Sequence, residues 1–165
     1  MNILPGALGG QGLVAWRLDA AAHASSWDSG EGAFRVGGRW NSKGVRAPYC
    51  SLDPATAVLE VAVHKGFEAL DTTENVLTSI TIDDAASVHV VRPDDIPNPN
   101  WLVPGLAGTG QRAYGDQLLA KHKFVLLPSV VSRHSWNLLF VASVASGSYS
   151  LGTQERFVLD PRLHP

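Results

Sequence analysis

The stretch Gly37–His64, GGRWNSKGVRAPYCSLDPATAVLEVAVH, divides into a loop, a strand and a helix. Its loop, GGRWNSKG from Gly37 to Gly44, gathers three glycines, an arginine, a tryptophan and a lysine. Such a loop is either a surface turn or the floor of an anion site, because glycine admits close backbone approach and a guanidinium fork matches phosphate oxygens. APYCSL then reads as a short strand carrying Tyr49. In DPATAVLEVAVHKG, Asp53 suits the N-cap, Pro54 the first turn and Gly66 the stop, which predicts a helix. Ala55, Val58, Leu59, Ala62 and Val63 form its expected buried stripe, and Glu60 falls at the border of that stripe.

Working outward, LVAWRL at Leu13–Leu18 reads as a strand with Arg17 near its end. Residues 19–46 show little periodicity and read as a long surface excursion of the functional or disordered kind. NVLTSITID alternates and VHVV is β-branched, so both read as strands; GQRAYGDQLLAKHK suits a helix; FVLLPSVV and RFVLD read as later strands. Pro93–Pro104 is a proline-rich loop. Strands outnumber helices and the helices fall between strand groups, which predicts an α+β fold. The expected organisation is a loose segment over residues 1–12 and one domain over 13–165.

Composition narrows the function. A chain of 165 residues with 45% hydrophobic and 17% charged residues can bury a core without disulfides. Thirteen basic against 15 acidic side chains leave a formal charge of −2, so no global basic field favours nucleic acid. One cysteine, Cys50, excludes an intramolecular disulfide and fits a reducing compartment. No apolar run reaches the ~18 residues of a membrane span. The stretch before Arg17 has no basic residue and does not read as a signal peptide, so the expected location is the cytoplasm.

His23, His64, His89, His122, His134 and His164 show no metal-ligand spacing, and no metal is expected. The serine-hydrolase elbow and the P-loop motif are both missing. GLAGTGQ, Gly105–Gln111, only loosely matches a dinucleotide glycine loop and reads as a turn into a helix. What remains is Arg17, Arg35, Arg39, Tyr49 and Glu60. Singly, each has a plain structural reading: a solvated or paired arginine, a core tyrosine, a glutamate paired with His64 or Lys65 at helical spacing. Jointly, two arginines and glycine-loop amides neutralise a pyrophosphate, a ring stacks on a heterocycle, and one carboxylate stabilises positive charge at an anomeric carbon. Those parts suit NAD+, whose nicotinamide leaves as a neutral molecule and needs no general acid.

AWRL, GGRWNSKGVRAPYCSLDPATAVLEVAVH, GDQLL, LLPSVV, NLLF and FVLDPRL, in this order between Leu13 and Leu163, resemble the RES domain, the toxin of bacterial RES–Xre toxin–antitoxin pairs. The resemblance implies a fold similar to ADP-ribosyltransferase toxins, with a mainly antiparallel split sheet and flanking helices, and NAD+ as substrate. It makes Arg17 and Arg39 the anchoring arginines, Tyr49 the ring contact, Glu60 the catalytic carboxylate and Ser129 a polar lining residue in the PSVV strand. Arg17 and Tyr49 join Glu60 in the expected catalytic set. Trp40 and Asn41 join the expected binding set, although Trp40 reads more as a packing residue that fixes the loop, and Lys43 as a rim contact. Two departures stand out: Leu18 replaces a tyrosine common in the family, and LLFVASVASGSYS follows Asn137 in place of an Asn-Pro-x-His turn.

The implied activity is cleavage of the nicotinamide–ribose bond by hydrolysis or phosphorolysis. The alternatives are mono-ADP-ribosyl transfer to a protein acceptor, with Pro93–Gly110 as a candidate recognition loop, and a nucleotide-binding module without turnover. The implied partner is an Xre-type antitoxin that covers the cleft in a multi-subunit complex.

Overall fold

The computed structural model describes residues 12–105 and 107–165, so the expectation for residues 1–12 falls, Gly12 apart, outside the described residues. Seven strands form one sheet: β1 (Leu13–Ala20), β2 (Tyr49–Ser51), β3 (Asn75–Ile82), β4 (Val88–Val90), β5 (Phe124–Pro128), β6 (Trp136–Phe140) and β7 (Tyr149–Phe157). Their order is β4-β5-β6-β2-β1-β3-β7, and β4–β5 is the one parallel pair. The helices are α1 (Glu31–Val36), α2 (Pro54–Lys65), α3 (Phe67–Thr72) and α4 (Thr109–Lys121). The domain is therefore α+β with a mostly antiparallel sheet, as expected from the sequence.

The sheet is continuous but pinched. β1 runs against β3 along its whole length, from Leu13↔Ile82 to Ala20↔Asn75, whereas β1 and β2 share the single register pair Trp16↔Ser51. On the other side of the pinch, β5 and β6 are buried throughout. Their alternate residues serve two cores: Phe124, Leu126, Leu138 and Phe140 on one face, Val125, Leu127 and Leu139 on the other. Burial on both faces yields an apolar run in place of alternation, broken in β6 only by Asn137.

Local chemistry fixes α2 as predicted. Asp53 Oδ1 accepts from the Thr56 N–H at 2.8 Å, Pro54 opens the helix, and Gly66 ends it at φ 81° while donating to the Ala62 carbonyl. Its buried face differs from the expected stripe. Ala55, Leu59 and Val63 are exposed, while Ala57 and Ala62 are buried and Val58 and Val61 pack on the cluster formed by Leu18, Leu70 and Leu77. The helix is apolar nearly all round, so its phase is set by contact with β1 and α3 rather than by periodicity.

Other boundaries also move. β1 continues to Ala20, and the excursion after it holds a 3-10 turn at Ala21–Ser26 and α1. The β2 strand spans only Tyr49–Ser51, β5 stops at Pro128, and β7 shares only Arg156 and Phe157 with the expected RFVLD strand. Ser129 stands just past the end of β5, outside the expected PSVV strand, although its N–H still donates to the Ser135 carbonyl at 3.0 Å. Among the described residues no helix is long and apolar enough to cross a membrane.

Candidate active site

A cleft of about 810 Å³ opens beside the β1–β2 pinch, within the size range of small-molecule sites. It brings together Arg17 from β1, Arg39 from the glycine loop, Tyr49 from β2 and Glu60 from α2, residues that lie up to 43 positions apart in sequence (60 minus 17). α1 forms an opposite wall, with Glu31, Arg35 and Val36 on the lining. Arg35 pairs with Glu31 at 2.9 Å along the helix and stays on the exposed rim.

Glu60 is held from one side. Its Oε1 accepts from Ser129 Oγ at 2.8 Å and from Asn137 Nδ2 at 2.6 Å, while Oε2 has no protein partner among the described residues. The carboxylate is thus fixed in orientation and keeps one oxygen open to the cleft. Ser129, fully buried, stands behind Glu60 and does not line the cleft.

The two arginines are also tethered. Arg17 donates to the Tyr49 carbonyl at 3.0 Å and to Asp19 Oδ2 at 2.9 Å, and its buried Nε lacks a partner among the described residues. Asp19 lies in turn 3.9 Å from Lys65 Nζ. Arg39 donates to the carbonyls of Trp101 at 3.3 Å and Gly105 at 2.9 Å. Burial lowers the Arg39 pKa, and the nearby Glu60 carboxylate and Tyr49 oppose that shift. The Arg39 hydrogen bonds end on neutral carbonyls, and among the described residues no carboxylate forms an ion pair with it, which leaves the guanidinium able to take an anion.

The glycine loop is built differently from an anion nest. Tyr49 donates its hydroxyl to Asn41 Oδ1 at 2.7 Å and accepts from the Trp40 N–H at 3.0 Å. Asn41 Nδ2 reaches the carbonyls of Ala33, Ser42 and Val45, and the residue is fully buried. The amides of Gly37, Gly38, Ser42 and Gly44 also end on internal acceptors. What the loop offers to an anion is therefore the Arg39 guanidinium and not the expected cradle of amides. Gly38 is needed because a Cβ there would lie 2.5 Å from the Tyr49 hydroxyl.

Two expected ligand contacts are corrected by burial. Trp40, 1% exposed, packs with Leu119, Leu127 and Leu139 beneath the loop, and Asn41 uses its side chain to close the loop; neither lines the cleft. Tyr49 does line it, but its hydroxyl faces the loop, where burial raises its pKa well above the usual phenol range. Lys43 is exposed and off the lining. Leu18 is 3% exposed and packs in the core cluster below α2 while also reaching the cleft floor.

Several cleft residues escaped the sequence reading. Asn137 and its cross-strand partner Ser51 both line the cleft, and Ser51 Oγ donates to Asn137 Oδ1 at 2.9 Å. Asp19, His64 and Lys65 also reach the lining. WNLLF is buried at every position and shows no sustained alternation, so the sequence carried no periodic signal for β6 or for its inward Asn137.

Fold and cleft together define an α+β domain whose pinched, mostly antiparallel sheet brings Arg17, Arg39 and the oriented Glu60 carboxylate to one cleft. The chain belongs to the RES domain family, whose sequence model matches residues 14–160. It is 34% identical over 130 residues to the Prs ADP-ribosylating toxin of Sphingobium sp. (strain YBL2), covering 75% of this chain and 79% of that protein. It is 32% identical over 143 residues to Toxin Res of Yersinia enterocolitica, covering 85% and 91%. Toxin Res of Photorhabdus laumondii is 27% identical over 154 residues, covering 92% and 97%. In fold, the chain is similar to a chain of the M. tuberculosis MbcT-MbcA toxin-antitoxin complex, with a TM-score of 0.64, 22% identity and coverage of 89% and 85%.

Proposed function

We propose that this RES domain is the toxin of a toxin–antitoxin pair and consumes NAD+ by cleaving its nicotinamide–ribose N-glycosidic bond. The observation that carries the reading is Glu60, fixed through Oε1 and open at Oε2, in a cleft with Arg39, whose guanidinium is bonded only to neutral carbonyls. Arg39 and Arg17 take the diphosphate, and the Tyr49 ring forms part of the wall at the nicotinamide end. As the C1′–N bond breaks, its electron pair goes to the pyridine nitrogen and positive charge grows on the ribose. Glu60 Oε2 stabilises that charge. Water or phosphate then bonds C1′, and the proton it loses passes to solvent. The same reading assigns the domain to the ADP-ribosyltransferase fold, the protein to the cytoplasm, and an Xre-type antitoxin to the mouth of the cleft.

The test is antitoxin-free protein incubated with NAD+, with and without phosphate, its products resolved by chromatography beside Glu60→Ala. Loss of NAD+ in molar excess over enzyme, in wild type only, is the expected result; a phosphate requirement identifies phosphorolysis. Intact NAD+ overturns bulk cleavage. Transfer of ADP-ribose to a protein is the second reading, favoured by the relative named as a Prs ADP-ribosylating toxin. Labelled NAD+ in a lysate tests it, the expected result being one modified band that Glu60→Ala abolishes.

A further inference from the structure

Behind Glu60 lies a chain of hydrogen bonds that joins three elements. Ser51 on β2 and Asn137 on β6 are register partners, 2% and 6% exposed, and Asn137 faces the carboxylate on α2. We infer that Asn137 is a positioning residue for Glu60, and that Ser51 braces the Asn137 amide from β2 by bonding the end that the carboxylate leaves free. This rests on the proposed NAD+ reaction for its kinetic consequence, but not for its geometry.

The chemistry of the donors requires this order. A carboxylate oxygen only accepts, so Glu60 Oε1 selects the amide NH2 of Asn137 at 2.6 Å. That orientation leaves Oδ1 pointing to β2, where it needs a donor. Ser51 Oγ is that donor at 2.9 Å. A flipped amide would set Oδ1 against Oε1, oxygen against oxygen, and Glu60 would lose that donor. Ser129 Oγ donates to the same Oε1 and accepts from the Ser132 N–H at 3.0 Å, so it is itself oriented. Two oriented donors on one oxygen hold the carboxyl plane and keep Oε2 aimed into the cleft.

Ser51 touches Asn137 and not Glu60, but both Ser51 and Asn137 line the cleft, so the split between kcat and KM is what separates positioning from direct substrate contact. In the NAD+ assay, Asn137→Ala is expected to lower kcat about 10–100-fold and Ser51→Ala about tenfold, each with KM within about twofold of wild type. Ser51→Thr, which keeps the hydroxyl, is expected to recover most of the loss. A second measurement needs no turnover. In the 1H–15N spectrum of the NAD+-free protein, the side-chain amide pair missing from Asn137→Ala is that of Asn137. The pair is expected to shift in Glu60→Ala and Ser51→Ala and to return in Ser51→Thr. An amide pair that stays put in both Glu60→Ala and Ser51→Ala overturns the inference. So does an Asn137→Ala enzyme whose KM rises at unchanged kcat. If the amide pair moves but wild type leaves NAD+ intact, the positioning stands and the NAD+ reading falls.

Discussion

A Cβ on Gly115 would lie 1.8 Å from the carbonyl oxygen of Trp40, so α4 and the glycine loop meet backbone to backbone. That approach lets α4 clamp the loop. Arg112 Nε donates to the Gly38 carbonyl at 3.0 Å, and Asp116 Oδ1 accepts from the Ser42 N–H at 2.9 Å. Arg39, which faces the cleft, is thereby carried on a loop braced from below.

Gly115→Ala is accordingly expected to destabilise the fold by about 1–3 kcal/mol or more, since backbone rather than a flexible side chain must yield. Gly110→Ala, on the same helix with open space around its Cβ, is expected to leave stability unchanged or raise it by up to about 1 kcal/mol. Urea unfolding of the two variants checks the contrast. Equal effects would show that the close contact does not constrain α4.

How much of this was legible from the chain depends on where each signal resides. The α2 boundaries were readable because Asp53, Pro54 and Gly66 act locally, and β3 because its neighbours leave its apolar residues a clear pattern. The buried face of α2 was not readable, since a helix apolar on most sides takes its phase from partners distant in sequence. β6 escaped for a related reason: Trp136–Phe140 is buried on both faces and lacks a polar alternation that marks an exposed side. In the site, arginines and a glutamate in apolar settings were conspicuous. The amide network of the loop and the Ser51–Asn137 link depend on register between strands 86 residues apart and could not be seen without the sheet.

Tyr49 serves the loop through its hydroxyl and the cleft through its ring, and the two roles separate in Tyr49→Phe. The ring stays, but Asn41 Oδ1 and the Trp40 N–H lose their partner in a buried setting. Unsatisfied buried groups of this kind cost about 1–3 kcal/mol. A lower melting temperature by differential scanning calorimetry, with Arg39-dependent NAD+ binding weakened as the loop loosens, is the expected outcome. An unchanged melting temperature would mean that the hydroxyl does not hold the loop.

Asp53 gives a pH dependence with a definite sign. Burial opposes its ionisation, but hydrogen bonds from Ser135 and Thr56 outweigh this and hold its pKa below the usual carboxylate value of 3.8. A depressed folded pKa contributes stability that is present above the unfolded value and is lost as pH falls through the folded one. Asp53→Ala is therefore expected to cost about 1–2 kcal/mol at pH 7 and progressively less below about pH 4. Unfolding curves between pH 7 and pH 3 test this, and a penalty independent of pH would refute it.

Arg39 and Lys43 lie four residues apart in one loop, yet only Arg39 lines the cleft. Arg39→Ala is expected to lower kcat/KM for NAD+ by about 10–100-fold, the loss of a charge-assisted contact, whereas Lys43→Ala stays within about twofold. Arg39→Lys keeps the charge but cannot hold the carbonyls of Trp101 and Gly105 and an anion together, so it should fall between them. Similar small effects for both alanines would remove the loop from the diphosphate site.

Glu60→Gln decides between an enzyme and a binding module. The glutamine oxygen can still accept from Ser129 and Asn137, so the scaffold around it keeps its bonds while the charge facing the cleft is gone. A carboxylate that acts only as ribose positive charge develops adds little to ground-state affinity, and its loss should fall on kcat. Turnover is expected to drop about 10²–10³-fold with NAD+ affinity, measured by calorimetry, nearly unchanged. If a binding module were the correct reading, wild type and Glu60→Gln would bind alike, neither would consume NAD+, and toxicity in expressing cells would be the same for both.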